Sequence, residues 1–213
     1  INAAMNDIAD NVRKQESVAD VVANQIENIN QLSIENAENE LIITTDADCN
    51  PDRIWLQSII AFYKQTNADM IIAPVLISPA NSIFEQMQQL EFMSLIGSGA
   101  AASSIQRPIM CNGANLAFKK KCWLANYARI NEKIHSGDDV FMLHAFKKDK
   151  KNIQFLKSTD AIIKTSACNS IQAFYIQRKR WASKSTAYTD FATILVAFIV
   201  FSIAVIQLIL LFS

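Results

Sequence analysis

The chain has 213 residues, 51% of them hydrophobic, with 20 basic and 20 acidic side chains and a formal net charge of zero. That balance speaks against a nucleic-acid partner, which requires a basic face. The four cysteines, Cys49, Cys111, Cys122 and Cys168, stand far apart without a C-x-x-C pair, so neither a zinc ribbon nor a disulfide scaffold is indicated, and reduced thiols on the cytosolic side are the simplest reading.

The sequence starts at Ile1 without a signal-peptide pattern and stops at Ser213 just after an apolar run, and it reads as a piece of a longer protein cut at both ends. Residues 1–40 are rich in Asn, Gln, Glu and Ala, with Val18, Val21, Val22, Ile26, Ile29 and Ile34 at roughly helical spacing, which predicts one or two amphipathic helices ending near Glu38. Leu41 to Thr45 reads as a short buried strand that ends at Asp46-Ala47-Asp48. Asn50-Pro51-Asp52 predicts a helix start, with Asn as N-cap, Pro at the first helical position and an acid in the first turn, and a helix to about Gln65. Met70 to Val75 is a second apolar strand. Ser82-Ile83-Phe84-Glu85 is a capping box opening a helix to about Ile96, and the small residues from Gly97 to Gln106 predict a loop. A short strand is expected over Asn115 to Phe118, a helix from Asp138 to Lys148, and short strands at Ile153 to Leu156 and Ala161 to Lys164. A helix with a basic, aromatic face follows from Ser170 to about Lys184. Lys119-Lys120-Lys121 and the lysines from Lys147 to Lys151 read as solvated faces, and His144 as packed or exposed on its helix.

Phe191 to Phe212 contains no charge and one strongly polar residue, Gln207. Twenty-two helical residues reach roughly 33 Å at about 1.5 Å each, enough for a hydrocarbon core of about 30 Å. Core helices rarely stay apolar on every face for so long. Residues 190–213 are therefore expected to be a transmembrane helix behind a domain at 1–189. Arg178, Lys179, Arg180 and Lys184 before it orient that domain to the cytoplasm by the positive-inside rule. Alternating strands and helices favour an α/β domain around a mainly parallel sheet, in which ligands gather outside the carboxyl ends of strands.

Three groups of residues carry chemistry. Asp46 and Asp48 are two carboxylates at a strand end, and hard cations such as Mg²⁺ or Mn²⁺ prefer oxygen ligands. The alternative is a solvated turn. Asp138 and Asp139 precede the apolar run Val140-Phe141-Met142-Leu143, where acids suit a helix N-terminus for dipole reasons and where one of them can also accept a proton from an attacking hydroxyl. Gln177, Arg180 and Trp181 share one helix face by their i, i+3, i+4 spacing. Arg offers a fork of donors for a diphosphate and Trp a flat platform for a sugar ring, although Arg and Trp also concentrate on helices that lie at membrane interfaces. The turn Cys111-Asn112-Gly113-Ala114-Asn115 is either an ordinary tight turn or a close approach of backbone to a ligand at Gly113.

The order of these motifs is itself informative: Ile42 to Asp48, then Cys111 to Phe118, then Ser136-Gly137-Asp138-Asp139, then Gln177-Arg178-Lys179-Arg180-Trp181, then an apolar span. It resembles the family 2 glycosyltransferases, the group that includes cellulose, chitin and hyaluronan synthases, over about residues 34–212. The resemblance implies a GT-A (Rossmann-like) fold and an inverting transfer from a nucleotide-sugar donor, UDP-linked, to a hydroxyl of a glycan or lipid-linked acceptor at the cytoplasmic face of the inner membrane. It implies that Asp46 contacts the nucleotide and Asp48 the divalent metal, with Asp46 beside it. It implies Asp139 as catalytic base, with Asp138 where relatives often have Glu. Gln177, Arg180 and Trp181 would hold the diphosphate and the acceptor, and Asn112 and Gly113 would lie along the acceptor path. The early nucleotide-binding strands of that family are not recognisable in residues 1–40, so they are expected upstream of Ile1 and the fragment alone is expected to be inactive. A membrane-anchored module that binds a glycan or a partner without catalysis is the competing reading. A nucleotidyltransferase would leave the Gln177 to Trp181 helix beside a membrane span unexplained.

Overall fold

The computed structural model describes residues 41–130, 138–185, 190, 191, 193–196, 198, 199 and 202. The helices expected within 1–40 and most of the expected span at 190–213 lie outside the described residues. The described residues between 191 and 202 are helical, and among the described residues no helix is long and apolar enough to cross a membrane.

Among the described residues, six short strands form two sheets: β1 (Leu41–Thr44), β2 (Met70–Ile72), β3 (Val75–Ile77), β4 (Leu116–Lys119), β5 (Ile153–Phe155) and β6 (Ile163–Thr165). The first sheet has the order β1-β4-β2-β5 and the second pairs β3 with β6. β4 runs antiparallel to both β1 and β2, while β2–β5 and β3–β6 are parallel. The sheet is mixed rather than mainly parallel. Strand and helix alternation does not fix strand direction; that depends on which gap each strand enters. β4 fills the gap between β1 and β2 and is buried along its whole length. β1 is half-buried rather than buried, because β4 is its one strand partner among the described residues.

The single apolar strand expected from Met70 to Val75 is two strands. Its break falls at Ala73-Pro74, where the chain leaves one sheet for the other. Pro lacks a ladder N–H, and the Pro74 carbonyl is taken instead by Ile163 N–H at 3.1 Å and by the Asn115 amide at 2.7 Å.

The helices among the described elements that pack around the sheets are α1 (Trp55–Thr66), α2 (Ile83–Ser104), α3 (Lys120–Ile130), α4 (Asp138–Lys148) and α5 (Ile171–Ser185). α1 does not start at Asn50-Pro51. Asn50 donates to Lys164 O at 2.8 Å in a β-bridge, which holds its backbone extended, and the helix opens at Trp55 behind Ile54 without a side-chain cap. The capping box of α2 forms as expected, Ser82 accepting from Glu85 N–H and the Glu85 carboxylate accepting from Ser82 N–H at 3.2 Å. The helix then continues through the stretch expected to be a loop, to Ser104. Gly99 is buried there, and a Cβ on it would sit 2.8 Å from Met110 Cγ, so the small residue admits the segment around Met110 rather than ending the helix.

α3 forms in a stretch where no helix is expected from the sequence, and Lys119 before it is not solvated. It is buried, donating to Asn67 O at 2.9 Å and pairing with Asp69 at 3.0 Å. Lys147 likewise pairs with Asp190 at 2.7 Å. His144 is half-buried on α4, and burial holds its pKa below the ordinary value despite Asp190 nearby. The main core lies between the first sheet and α3 and α4, built from residues such as Met70, Leu116, Phe118, Leu143 and Phe146. A second cluster, Val75, Ile77, Phe92 and Ala114, sits beneath α2 and α5 and is extended by Leu95, Ile96 and Trp181.

Candidate active site

A cleft of about 560 Å³ opens where the carboxyl ends of β1, β3 and β6 meet the start of α4 and one face of α5. Asp46, Asp48, Asn112 and Gly113 line it, and so do Asp139, Gln177, Arg180 and Trp181. Residues from four distant stretches of sequence thus border one space. Asp138 is the first residue of α4.

β1 ends at Thr44, and the next four residues turn sharply, with Cys49 N–H donating to Asp46 O at 3.0 Å. This turn exposes the Asp46 and Asp48 carboxylates to the cleft. Cys49 joins them: one ligand atom from each of the three lies within 4.8 Å of the others. Two exposed carboxylates suit a hard divalent cation that keeps water or phosphate oxygens as further ligands. The thiol is the softer donor, and burial together with the Asp48 and Asp46 carboxylates pushes its pKa up. Thr165, at the end of β6, donates to Asp48 Oδ2 at 3.4 Å. Neither Cys49 nor Thr165 was singled out from sequence. Thr165 lies one residue past the strand expected over Ala161 to Lys164, and only the β3–β6 pairing brings it to the acids.

The Asn112-Gly113 turn is held from several sides. Asn112 Oδ1 accepts from Ala114 N–H at 3.0 Å, closing a short 3₁₀ turn over Gly113–Asn115. Asp139 Oδ2 accepts from Gly113 N–H at 3.0 Å, and its Oδ1 accepts from Val140 N–H at 2.9 Å. Asp139 therefore both caps its own helix and reaches across the cleft to the turn. A Cβ on Gly113 would meet the Asp139 carboxylate at ordinary contact distance, 3.7 Å, so the missing side chain leaves that carboxylate open on this side.

On α5, Arg178 organises its neighbours, a role the sequence reading did not give it. Its guanidinium donates to both Glu91 oxygens on α2, at 2.9 Å from Nε, and also to Gln177 Oε1. It stacks over the rings of Phe174 and Trp181, at 4.3 and 4.2 Å from their centroids. Trp181 packs on Phe92 at 6.0 Å. One face of the indole is thus engaged by a cation, so Trp181 meets the cleft with less than its full surface. Arg180 is exposed at the cleft. Gln88, buried on α2, clasps the Cys168 backbone from both sides, donating to its carbonyl at 3.0 Å and accepting its N–H at 2.9 Å, and so fixes the approach to α5.

The chitin synthase 7 of Pyricularia oryzae (strain 70-15 / ATCC MYA-4617 / FGSC 8958) is 27% identical over 169 residues, an alignment covering 70% of this chain and 20% of that protein. The chain therefore spans about a fifth of the length of this curated relative. The family profile described as glycosyl transferase family group 2 matches residues 41–213, which include every acid and every α5 residue of the cleft. The chain belongs to glycosyl transferase family group 2.

Proposed function

We propose that this chain carries the acceptor-activating and diphosphate-binding part of an inverting glycosyltransferase. The donor is a UDP-linked sugar and the acceptor a hydroxyl of a glycan or lipid-linked saccharide, at the cytoplasmic face of the inner membrane. The observation that carries the reading is the meeting of Asp46, Asp48, Asp139 and the Gln177–Trp181 face around one cleft. Asp139 accepts the proton of the acceptor hydroxyl as that oxygen attacks the anomeric carbon and the sugar–phosphate bond breaks. The Arg180 guanidinium faces the departing diphosphate with a planar set of donors. Gln177 and the free edge of Trp181 position the sugar. Asp48, with Asp46, would hold Mg²⁺ or Mn²⁺, which supplies positive charge to the diphosphate.

A transmembrane helix at 190–213 would anchor the domain. Exposed apolar residues along α2 (Ile83, Met87, Leu90) and α5 (Ile171, Tyr175, Ile176) support a membrane-side position, as does the basic run before the apolar stretch. The test is transfer by the full-length protein in membranes, followed as UDP release from a panel of UDP-sugars. Release from one donor, abolished by chelation and restored by Mn²⁺ or Mg²⁺, is the expected result. Full turnover in excess chelator would remove the metal from the proposal, and donor binding without release would replace catalysis with recognition.

A further inference from the structure

Gly113 is held at both ends by side chains from different elements. Its N–H donates to Asp139 Oδ2 at 3.0 Å, and its carbonyl accepts from the Thr44 hydroxyl at 2.7 Å. Thr44 is the last residue of β1, two positions before Asp46, and pairs in register with Leu116. Its hydroxyl also lies 3.3 Å from Leu116 O, but one proton serves one strong bond and the shorter contact goes to Gly113. Glycine has the widest backbone freedom of any residue. The Gly113–Ala114 peptide is held within the turn by Asn112 Oδ1 on Ala114 N–H at 3.0 Å and from outside it by Thr44 on the Gly113 carbonyl; without the outside anchor the turn can tilt and carry the Gly113 N–H away from Asp139. The second Asp139 oxygen is bonded within its own helix, to Val140 N–H. The Gly113 N–H is thus the bond that ties the carboxylate to the opposite wall of the cleft.

We propose that Thr44 is a positioning residue for Asp139, acting through Gly113, so that the strand leading to the acidic turn also sets the orientation of the proton acceptor. This rests on the reading of Asp139 as the base. It makes one short stretch, Thr44 to Asp48, responsible for both halves of the chemistry: Asp48 at the leaving group and, through Gly113, Asp139 at the nucleophile.

The experiment compares wild type, Thr44→Val, Thr44→Ser and Asp139→Asn in the full-length protein, measuring kcat and donor KM. Val keeps the volume and β-branching that suit a strand while removing the donor. Misorienting a reacting group by up to about 1 Å costs as much as roughly 10²-fold in rate, so Thr44→Val is expected to lower kcat between about tenfold and 10²-fold, with donor KM changed less than about twofold. Thr44→Ser, which keeps the hydroxyl, is expected to restore most of kcat. Should Thr44→Val fail to fold, Thr44→Ala against Thr44→Ser makes the same comparison. Wild-type kcat in Thr44→Val beside an inactive Asp139→Asn overturns the positioning role and leaves the base in place. A loss that Ser does not restore, or one confined to KM, overturns it too. Normal turnover in Asp139→Asn overturns the reading of the base itself.

Discussion

Both carboxylate oxygens of Asp139 accept backbone N–H groups, from Gly113 and from Val140. Asparagine can satisfy one of them, but its amide nitrogen then faces the other donor to donor. Asp139→Asn is therefore not a silent isostere: about 1–2 kcal/mol of stability should go with the lost bond, and turnover should fall by about 10²–10⁴-fold if the proton acceptor is gone. Thermal melting and single-turnover kinetics on the same preparation separate the two effects. A stability loss with near-normal turnover would leave Asp139 as a helix cap that braces the turn. At Asp48 the expectation differs. Asp48→Ala should weaken donor binding as well as turnover, since a metal-bound diphosphate loses affinity with its ligand, and titration of donor in the presence of Mn²⁺ reads this directly. Cys49→Ser should leave Mg²⁺-supported turnover nearly unchanged, because a hard cation takes oxygen from the two acids; a large fall would make the thiol a ligand.

Among the elements, α2 carries a paired test. Gly97 and Gly99 sit two residues apart in the same helix. A Cβ at Gly97 meets nothing within 4 Å, whereas one at Gly99 meets Met110 Cγ at 2.8 Å. Gly97→Ala should stabilise the protein by up to about 1 kcal/mol through helix propensity alone. Gly99→Ala gains the same propensity but must displace Met110 at the cleft wall, and Gly99→Val should lose about 1–3 kcal/mol by overpacking. Urea melts of the three variants decide it, and equal gains at both glycines would mean that the helix does not pack on Met110. The same helix is joined to α5 by the Glu91–Arg178 pair and by the Phe84–Phe174 and Phe92–Trp181 contacts. The Gln177–Trp181 face is thus positioned by α2 as well as by its own sequence.

For the whole molecule, Asn115 is the joint between the sheets. It is fully buried, accepts from Trp55 Nε1 at 2.9 Å, and donates to Pro74 O at 2.7 Å and Ala161 O at 2.8 Å. One side chain thereby joins α1, the β2–β3 crossover and the approach to β6. Asn115→Leu strips Trp55 Nε1–H and the Ala161 carbonyl of the amide and leaves the Pro74 carbonyl with Ile163 N–H alone, and it should cost about 2–4 kcal/mol; a smaller loss by denaturant titration would show that water replaces the amide. Asp69 and Lys119 give the fold a pH dependence. Burial pulls the Asp69 carboxyl up, but the Asn152 N–H and Lys119 outweigh it, with Cys122 adding to them, so it lies below the usual range. A depressed carboxyl stabilises the folded chain in full above the ordinary value of about 3.9, and that contribution is lost as pH falls through the folded value. Asp69→Asn should cost about 2 kcal/mol at neutral pH, less than for a fully buried pair because Asp69 is partly exposed. It should also flatten the loss of stability below about pH 4. An unchanged acid limb would assign that loss to other carboxylates, such as Asp190.

The elements whose signals are local were legible in the chain. The Ser82–Glu85 capping box, the helix from Asp138 and the acids after β1 each depend on residues within a few positions of one another, so composition and spacing suffice. The motif order and the α5 face pointed to the family for the same reason. Where local signals mislead, a distant partner claims a local group. Asn50 bridges to Lys164 instead of capping a helix, Pro74 divides an apolar run between two sheets, Gly99 packs on Met110 instead of opening a loop, and Lys119 pairs with Asp69 instead of facing water. The cleft belongs to the same class. Residue types nominated Asp46, Asp48 and Asp139, but the Thr44–Gly113–Asp139 linkage, the place of Cys49 and Thr165, and the Arg178 stack on Trp181 arise only when β4 enters between β1 and β2 and α5 settles on α2. Short-range chemistry is written in sequence spacing; the direction of a strand and the far partner of a hydrogen bond are set by how the whole core closes.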